Sequence, residues 1–227
     1  MMEQTGPILL VGGGPVQDRM LEQAIERAVR IIAVDGGARH LQALGVSPDV
    51  IIGDLDSTPP SAFSKSVLAE QKTEIIHITN QDNSDFEKAL SHFGAGNYHA
   101  LGFTGGRIDH QLAVLDTMLR YPQCTVLLID EFNVSFLIAR QGIRWNLPID
   151  TTLSLTALKP TQCQVCHGLA WSIIGWDMAL GTAMSLSNRV VDCPIKLRFA
   201  DHTVLLSVET NAWHGLQPTW RSPKELG

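Results

Sequence analysis

The sequence lacks both the long apolar runs of a membrane span and the positive charge of a nucleic-acid-binding protein. Its 227 residues are 44% hydrophobic and 18% charged, and the formal net charge is −6. No apolar run approaches the roughly 18 residues that cross a bilayer, and an acidic chain repels the nucleic-acid backbone. The apolar run at residues 8–11 has no basic flank or signal-like cleavage site around it. We therefore expect a cytoplasmic protein that acts on neither nucleic acid nor membrane.

Cysteine is also scarce, with four residues in the chain. Cys163, Cys166 and His167 have the spacing of a c-type haem attachment motif, but that chemistry requires export, for which the sequence shows no signal. The motif lies in a strand-rich stretch, where residues three apart point to opposite faces. We therefore interpret the spacing as a coincidence within a strand rather than as a haem or dithiol site. Cys124 and Cys193 are interpreted as small apolar residues.

Two widespread nucleotide-binding motifs are missing. No Gly-x₄-Gly-Lys-Ser/Thr sequence occurs, which excludes a Walker loop. Gly12 and Gly14 begin a dinucleotide-like fingerprint, but Gln17 follows where a third glycine is needed. Neither a P-loop nor a standard dinucleotide site is therefore expected.

The pattern of apolar residues divides the chain into two parts. Strand and helix signals alternate through residues 8–129, which is typical of a parallel sheet covered by helices on both faces. After about Phe136 the helical periodicity disappears, and short alternating runs separated by turn residues predict antiparallel strands. We predict an open parallel-sheet α/β domain, Rossmann-like, at residues 1–138 and an antiparallel β-sandwich domain at residues 142–221.

Asp54 and Asp56 follow an apolar strand that ends at Gly53. Residues two apart in an extended backbone point the same way, so both carboxylates face one point beyond the strand end. Two close like charges repel unless a cation lies between them, and carboxylate oxygens suit a hard ion such as Mg²⁺. A helix cap followed by a turn aspartate is the alternative, since both are common after strands.

Charged or glycine-rich motifs end several successive strands of the predicted sheet, at residues 12–14, 35–37, 54–56, 81–85 and 105–109. Ligands bind at this edge of open α/β sheets. Glycine-rich turns offer N–H groups to phosphate, Arg107 adds a bidentate phosphate donor, and five aspartates crowd the same edge. Phosphate together with a divalent metal accounts for both features. A glycosyltransferase that holds a metal–nucleotide-sugar complex on the Asp-x-Asp motif remains an alternative.

These motifs resemble, in order and spacing, those of thiamin pyrophosphokinases. The segments that carry the resemblance are Asp35-Gly36-Gly37-Ala38, Gly53-Asp54-Leu55-Asp56-Ser57, Gln81-Asp82-Asn83-Ser84-Asp85 and Thr104-Gly105-Gly106-Arg107-Ile108-Asp109-His110. Near the C-terminus, Ser185-Leu186-Ser187-Asn188 resembles the family's Ser-x-Ser-Asn motif. The chain departs from the family pattern at Ser84, where threonine is usual, and at Val114, where asparagine is common.

The resemblance implies an α/β catalytic domain that binds ATP and Mg²⁺, and a β-sandwich domain that binds thiamin and pairs in a homodimer. The implied reaction transfers the terminal diphosphate of ATP to the hydroxyethyl group of thiamin, which gives thiamin diphosphate and AMP. Matched residue by residue, the metal ligands would be Asp54, Asp56 and Asp85. The ATP contacts would be Asp35, Gly36, Thr104, Gly105, Gly106 and Arg107, with Asp109 close by. The thiamin contacts would be Gln81, Ser185 and Asn188.

The implied mechanism relies on positioning and charge neutralisation. Mg²⁺ and Arg107 would neutralise the phosphate oxygens and align the reacting groups. Either Asp109 or Asp85 would accept the proton of the alcohol, and the sequence does not decide between them. The dimer interface is also consistent with the aromatic residues in the second half of the chain, Trp171, Trp176, Trp213 and Trp220. A non-catalytic nucleotide-binding module is the other alternative.

Overall fold

The structure is a computed structural model that describes residues 6–54, 73–80 and 82–210, together with the backbone of residues 219–220. The chain forms two compact units, Met1–Glu131 and Phe132–Gly227. This division lies before the strand Asn133–Leu137, which the expected boundary at residues 138–142 had placed in the first domain. The strand belongs to the second unit because it pairs antiparallel with the strand Val204–Glu209.

The first unit is a parallel sheet with helices. Its described strands are β1 (Ile8–Val11), β2 (Arg30–Val34), β3 (Val50–Gly53), β4 (Glu74–His77), β5 (Gly96–Leu101) and β6 (Cys124–Ile129). Their order in the sheet is β6-β5-β1-β2-β3-β4, and every neighbouring pair is parallel. The described helices are α1 (Asp18–Arg27), a 3₁₀ turn (Asp35–Gly37), α2 (Ala38–Ala43), α3 (Asp85–Phe93) and α4 (Ile108–Arg120).

The apolar runs of the sequence form the core of this unit. The central strands β1 and β3 are fully buried at almost every position, as expected for strands covered on both faces. Helix α3 buries Phe86, Ala89 and Leu90, which are the positions its helical periodicity predicts. Its N-cap is Ser84, whose hydroxyl accepts a hydrogen bond from the Glu87 N–H at 3.2 Å.

The second unit contains two antiparallel sheets. Its strands are β7 (Asn133–Leu137), β8 (Ile143–Trp145), β9 (Thr152–Ala157), β10 (Thr161–His167), β11 (Asp177–Met178), β12 (Ser185–Arg189), β13 (Ile195–Phe199), β14 (Val204–Glu209) and β15 (Thr219–Trp220). One sheet has the order β12-β9-β14-β7 and the other β11-β10-β13-β8-β15. Phe136 and Trp145 pack edge to face between the two sheets, with ring centroids 5.5 Å apart. The predicted α/β unit followed by an antiparallel β-sandwich is confirmed.

Strand β10 differs from a regular strand at the cysteine motif. A register shift against β13 lies between Cys163 and Val165, and such a bulge breaks the alternation of side chains. As a result Cys163 lies opposite Phe199 and Cys166 opposite Leu197, two residues of β13 that point to the same face of the sheet. The expectation that these two side chains point to opposite faces is therefore wrong.

In the part of the chain that the structure describes, no helix is both long and apolar enough to cross a membrane.

Candidate active site

A cavity of about 570 Å³ opens at the edge of the first unit where the parallel strands end. Because parallel strands present their carboxyl ends at the same edge, the loops after β1, β2 and β5 meet there. The N-terminal turn of α3 adds to the wall, and its Phe86 packs against Phe103 with ring centroids 4.8 Å apart. The structure therefore brings together segments that are far apart in the sequence, as the motif positions predicted.

Glycines allow the loops around the cavity to approach one another closely. A Cβ atom at Gly37 would lie 1.8 Å from the Val11 carbonyl oxygen, so this position accepts only glycine. Gly102 has a φ of +77°, and a Cβ atom there would lie 2.4 Å from the Gly12 carbonyl oxygen. The loop after β1 is held further by the His40 Nε2–H, which donates to the Gly14 carbonyl at 2.9 Å. These contacts shape a narrow backbone cradle of the kind that binds phosphate.

Three carboxylates meet beside this cradle. Asp35, Asp54 and Asp85 each offer an oxygen, and these oxygens lie within 4.8 Å of one another. They come from the ends of β2 and β3 and from the start of α3. Asp35 adopts a φ of +44°, an uncommon conformation for a residue other than glycine, and its Oδ1 is buried without a hydrogen-bond partner. The arrangement leaves partly buried carboxylate oxygens close to one another, as in a cation site.

A buried lysine neutralises part of this charge. The Lys88 ammonium lies 2.9 Å from Asp85 Oδ1 and 3.6 Å from Asp54 Oδ2, and its side chain is only 3% exposed. Burial acts to lower the pKa of Lys88, but the hydrogen bond and the charge of Asp85, with the charge of Asp54, outweigh it and raise this pKa. Lys88 is therefore a cation at neutral pH.

Two predicted site residues, Asp56 and Gln81, lie outside the described residues. Their roles as a metal ligand and a thiamin contact stay predictions. Of the predicted metal ligands, the structure brings Asp54 and Asp85 together, and it adds Asp35 to them.

The loop after β5 carries the predicted phosphate-binding residues Thr104, Gly105, Gly106 and Arg107. Thr104 is anchored by a hydrogen bond from its hydroxyl to Asp130 Oδ2 at 3.1 Å. The Gln111 amide is oriented so that both its oxygen and its nitrogen form hydrogen bonds. In this orientation the side-chain oxygen accepts from Gly105 N at 2.9 Å and from Gly106 N at 3.3 Å. A carboxamide oxygen therefore occupies the N–H groups that a phosphate oxygen would use.

Arg107 and Asp109 pair with each other at the exposed rim of this loop. The Arg107 guanidinium donates two hydrogen bonds to the Asp109 carboxylate, and both side chains are largely exposed. The hydrogen bond from Arg107 lowers the pKa of Asp109 to about 2. Because a carboxylate with so low a pKa is a weak proton acceptor, Asp109 is the poorer candidate for a general base while this pair persists.

The predicted thiamin-binding residues Ser185 and Asn188 lie on β12 in the second unit. Asn188 is 1% exposed, and its amide donates to the Trp171 carbonyl at 2.7 Å and to Ser185 Oγ at 3.0 Å. Its side-chain oxygen accepts from the N–H groups of Trp171 and Arg189. Asn188 thus holds the segment at Trp171 against β12, and its direct contact with thiamin stays a prediction.

The sequence analysis missed two side chains that shape this site. Lys88 follows Asp85 by three residues, a spacing that places both on one face of a helix. His40, which anchors the glycine loop, gives no comparable signal because its partner is a backbone carbonyl far away in the sequence.

Comparison with known proteins identifies related sequences. Residues 21–128 match the catalytic domain of thiamin pyrophosphokinase. Thiamine pyrophosphokinase 3 of Oryza sativa subsp. japonica is 26% identical over 159 residues, which cover 63% of this chain and 58% of the rice protein. Thiamin pyrophosphokinase 1 of Caenorhabditis elegans is 22% identical over 200 residues, 80% of this chain and 79% of that protein. The chain therefore spans less than two thirds of the rice relative.

Solved structures share the fold. Thiamin pyrophosphokinase from Candida albicans superposes with a TM-score of 0.74 at 19% identity, covering 89% of each chain. The enzyme from Geobacillus thermodenitrificans gives a TM-score of 0.73 at 22% identity, covering 89% of this chain and 96% of that one. The resemblance that the motifs indicated is therefore confirmed: residues 21–128 match the catalytic domain of thiamin pyrophosphokinase, and the solved structures share the fold.

Proposed function

We propose that this chain is a thiamin diphosphokinase, which transfers the terminal diphosphate of ATP to the hydroxyethyl oxygen of thiamin and releases AMP. The observation that carries the proposal is the cluster of Asp35, Asp54 and Asp85 beside a glycine-walled cavity, within the segment that matches this family's catalytic domain. This arrangement supports a metal–phosphate site without a Walker loop.

The residues of the cluster fit a magnesium ion. All of the available ligands are carboxylate oxygens, which Mg²⁺ prefers, and the buried Asp35 Oδ1 has no hydrogen-bond partner of its own. Asp35, Asp54 and Asp85 would hold the ion, and Asp56 remains a predicted ligand. When bound, Mg²⁺ would supply charge neutralisation at the phosphate oxygens.

The other groups of the site bind and orient the triphosphate. The N–H groups of Gly105 and Gly106, which donate to the Gln111 side-chain oxygen here, would be available to a phosphate oxygen once Gln111 moved away. The Arg107 guanidinium can exchange the Asp109 carboxylate for a phosphate, because both groups lie at the exposed rim. Held by these N–H groups and by Arg107, the diphosphate would present its β-phosphorus for attack by the thiamin alcohol.

The proton of that alcohol needs an acceptor. Asp109 has its pKa held at about 2 by Arg107, which argues against it in the structure as it stands. Asp85 is the other candidate, and it lies inside the carboxylate cluster, where it pairs with Lys88. Positioning contributes more than base strength here, since phosphoryl transfer depends mainly on alignment and electrostatics.

The remaining parts of the proposal concern thiamin and assembly. Gln81, Ser185 and Asn188 are the proposed thiamin-binding residues. Trp171 and Trp176 are large apolar side chains that are 56% and 44% exposed, and we propose that the second unit uses such surface to form a homodimer. A cytoplasmic location is part of the same proposal.

The experiment that tests this function is an incubation of the purified chain with ATP, Mg²⁺ and thiamin. We expect thiamin diphosphate and AMP in equal amounts, and no thiamin diphosphate when thiamin or Mg²⁺ is omitted. Hydrolysis of a nucleotide sugar without any dependence on thiamin would favour the glycosyltransferase alternative. Binding of ATP without turnover would favour a nucleotide-binding module.

A further inference from the structure

Lys88 occupies an unusual position for a lysine. Its side chain is 3% exposed, although lysine normally extends its ammonium into water along an apolar stem. Two members of the carboxylate cluster hold it, Asp85 at 2.9 Å and Asp54 at 3.6 Å. A single ion pair would have sufficed to compensate one buried charge, so the double contact indicates a role toward the cluster as a whole.

The charges of this group show what that role is. Three ionised carboxylates lie within 4.8 Å of one another, and they repel strongly at that separation. With the Lys88 ammonium included, three negative charges and one positive charge leave a net charge of −2. The lysine therefore reduces by one unit the negative charge that attracts a divalent cation, and Asp56, a predicted ligand, would add one further negative charge.

We propose that Lys88 is a positioning residue whose ammonium acts as the internal counter-charge of the cluster, holding Asp54 and Asp85 in place and opposing the binding of a free divalent cation. A cation that arrives with ATP brings the negative charge of the triphosphate, which the same ammonium attracts. The site therefore loads metal and nucleotide together. This inference rests on the proposed function, because it assumes that the cluster binds a metal–ATP complex.

The proposal predicts effects of opposite sign for two ligands in one variant. Lys88→Met keeps the apolar stem and removes the charge. Free Mn²⁺, measured by the electron paramagnetic resonance signal of the unbound ion, should bind the full-length variant roughly tenfold more tightly than wild type, since a nearby positive charge is gone. The Mn²⁺–ATP complex, measured by calorimetry, should bind roughly tenfold more weakly, because a positive charge beside the site of its anionic oxygens is lost.

Control variants separate this role from a structural one. Lys88→Arg keeps the charge and should stay closer to wild type for both ligands. Lys159→Met removes the charge of a lysine exposed in a turn of the second unit and should change neither. If Lys88 only supported the helix, Lys88→Met would weaken the binding of both free Mn²⁺ and the Mn²⁺–ATP complex. Weaker or unchanged binding of free Mn²⁺ would therefore overturn the proposal.

Folding of the variant also informs the test. Loss of the counter-charge should destabilise the metal-free protein, and a divalent cation should restore its stability. If Lys88→Met does not fold, Lys88→Gln, which keeps a hydrogen-bond donor, takes its place. Failure of both variants to fold even with Mn²⁺ would contradict the counter-charge role. If wild type forms no thiamin diphosphate, the proposed function fails, yet the binding of free Mn²⁺ still reports on Lys88.

Discussion

Replacement of Asp54 by asparagine should abolish activity without unfolding the protein. Asp54→Asn keeps the size of the side chain and removes one charge from the cluster. Loss of a ligand to a catalytic metal commonly costs at least roughly two orders of magnitude in rate, or about 2.7 kcal/mol of transition-state stabilisation. We expect Asp56→Asn to lose a similar factor, since it is the second carboxylate of the same motif.

The effect on stability follows from the distances in the cluster. Asp54 lies within 4.8 Å of two other carboxylates, and each such pair repels by at least about 3.5 kcal/mol at an effective dielectric constant of about 20. Its attraction to Lys88 at 3.6 Å is worth about 4.6 kcal/mol on the same scale. The substitution removes two repulsions and one attraction. On this scale the repulsions exceed the attraction by at least about 2.4 kcal/mol, so the metal-free variant should be no less stable than wild type.

Urea unfolding in the presence of a chelator measures this stability, and product formation with saturating Mg²⁺ and ATP measures activity. Asp18→Asn is the matched control, because Asp18 is an exposed carboxylate in the first turn of α1. It should retain full activity and lose only a few tenths of a kcal/mol. Activity of Asp54→Asn within about threefold of wild type, or its unfolding without metal, would refute the reasoning.

Three further predictions concern stability and assembly. Burial, with the charge of Arg27, lowers the pKa of His99 from 6.5 to about 4. Because the unfolded chain takes up the proton at higher pH than the folded protein, the free energy of unfolding should fall by about 3 kcal/mol between pH 6.5 and 4. Denaturation curves of His99→Gln should lack this dependence of stability on pH. Glu87 joins α3 to α4, and its pKa is lowered by its hydrogen bonds from Arg120. Glu87→Gln should lower the free energy of unfolding in urea by about 1–3 kcal/mol. An unchanged urea midpoint would show that the Glu87–Arg120 pair does not stabilise the protein. Sedimentation should show a homodimer at micromolar concentration, and a fully active monomer would contradict the proposed assembly.

Much of the first unit could be predicted from the sequence because local signals and the global fold agree there. The apolar runs that form β1, β2 and β3 are short and separated by helical periodicity, so their parallel pairing follows. The position of the site follows from the same rule, since every loop at one edge carried a polar or glycine-rich motif. Asp54 and Asp85 meet because strand β3 ends at that edge and helix α3 begins there.

Features that depend on distant pairing could not be predicted in this way. The strand β7 continues the apolar pattern of the first unit, and only its pairing with β14 assigns it to the second. The bulge in β10 depends on its register with β13, which composition does not reveal. The role of Lys88 was hidden because a lysine at i+3 from an aspartate is common on exposed helix faces, and only burial distinguishes it.

The most direct test of the proposed reaction is the fate of labelled ATP. Ordinary kinases transfer the γ-phosphoryl group and release ADP, whereas the reaction proposed here breaks the bond between the α- and β-phosphates. ATP labelled at either the β- or the γ-phosphate should therefore place its label in thiamin diphosphate, with one AMP formed for each product molecule. Accumulation of ADP, or transfer of the γ label alone, would contradict diphosphate transfer even if thiamin is the acceptor.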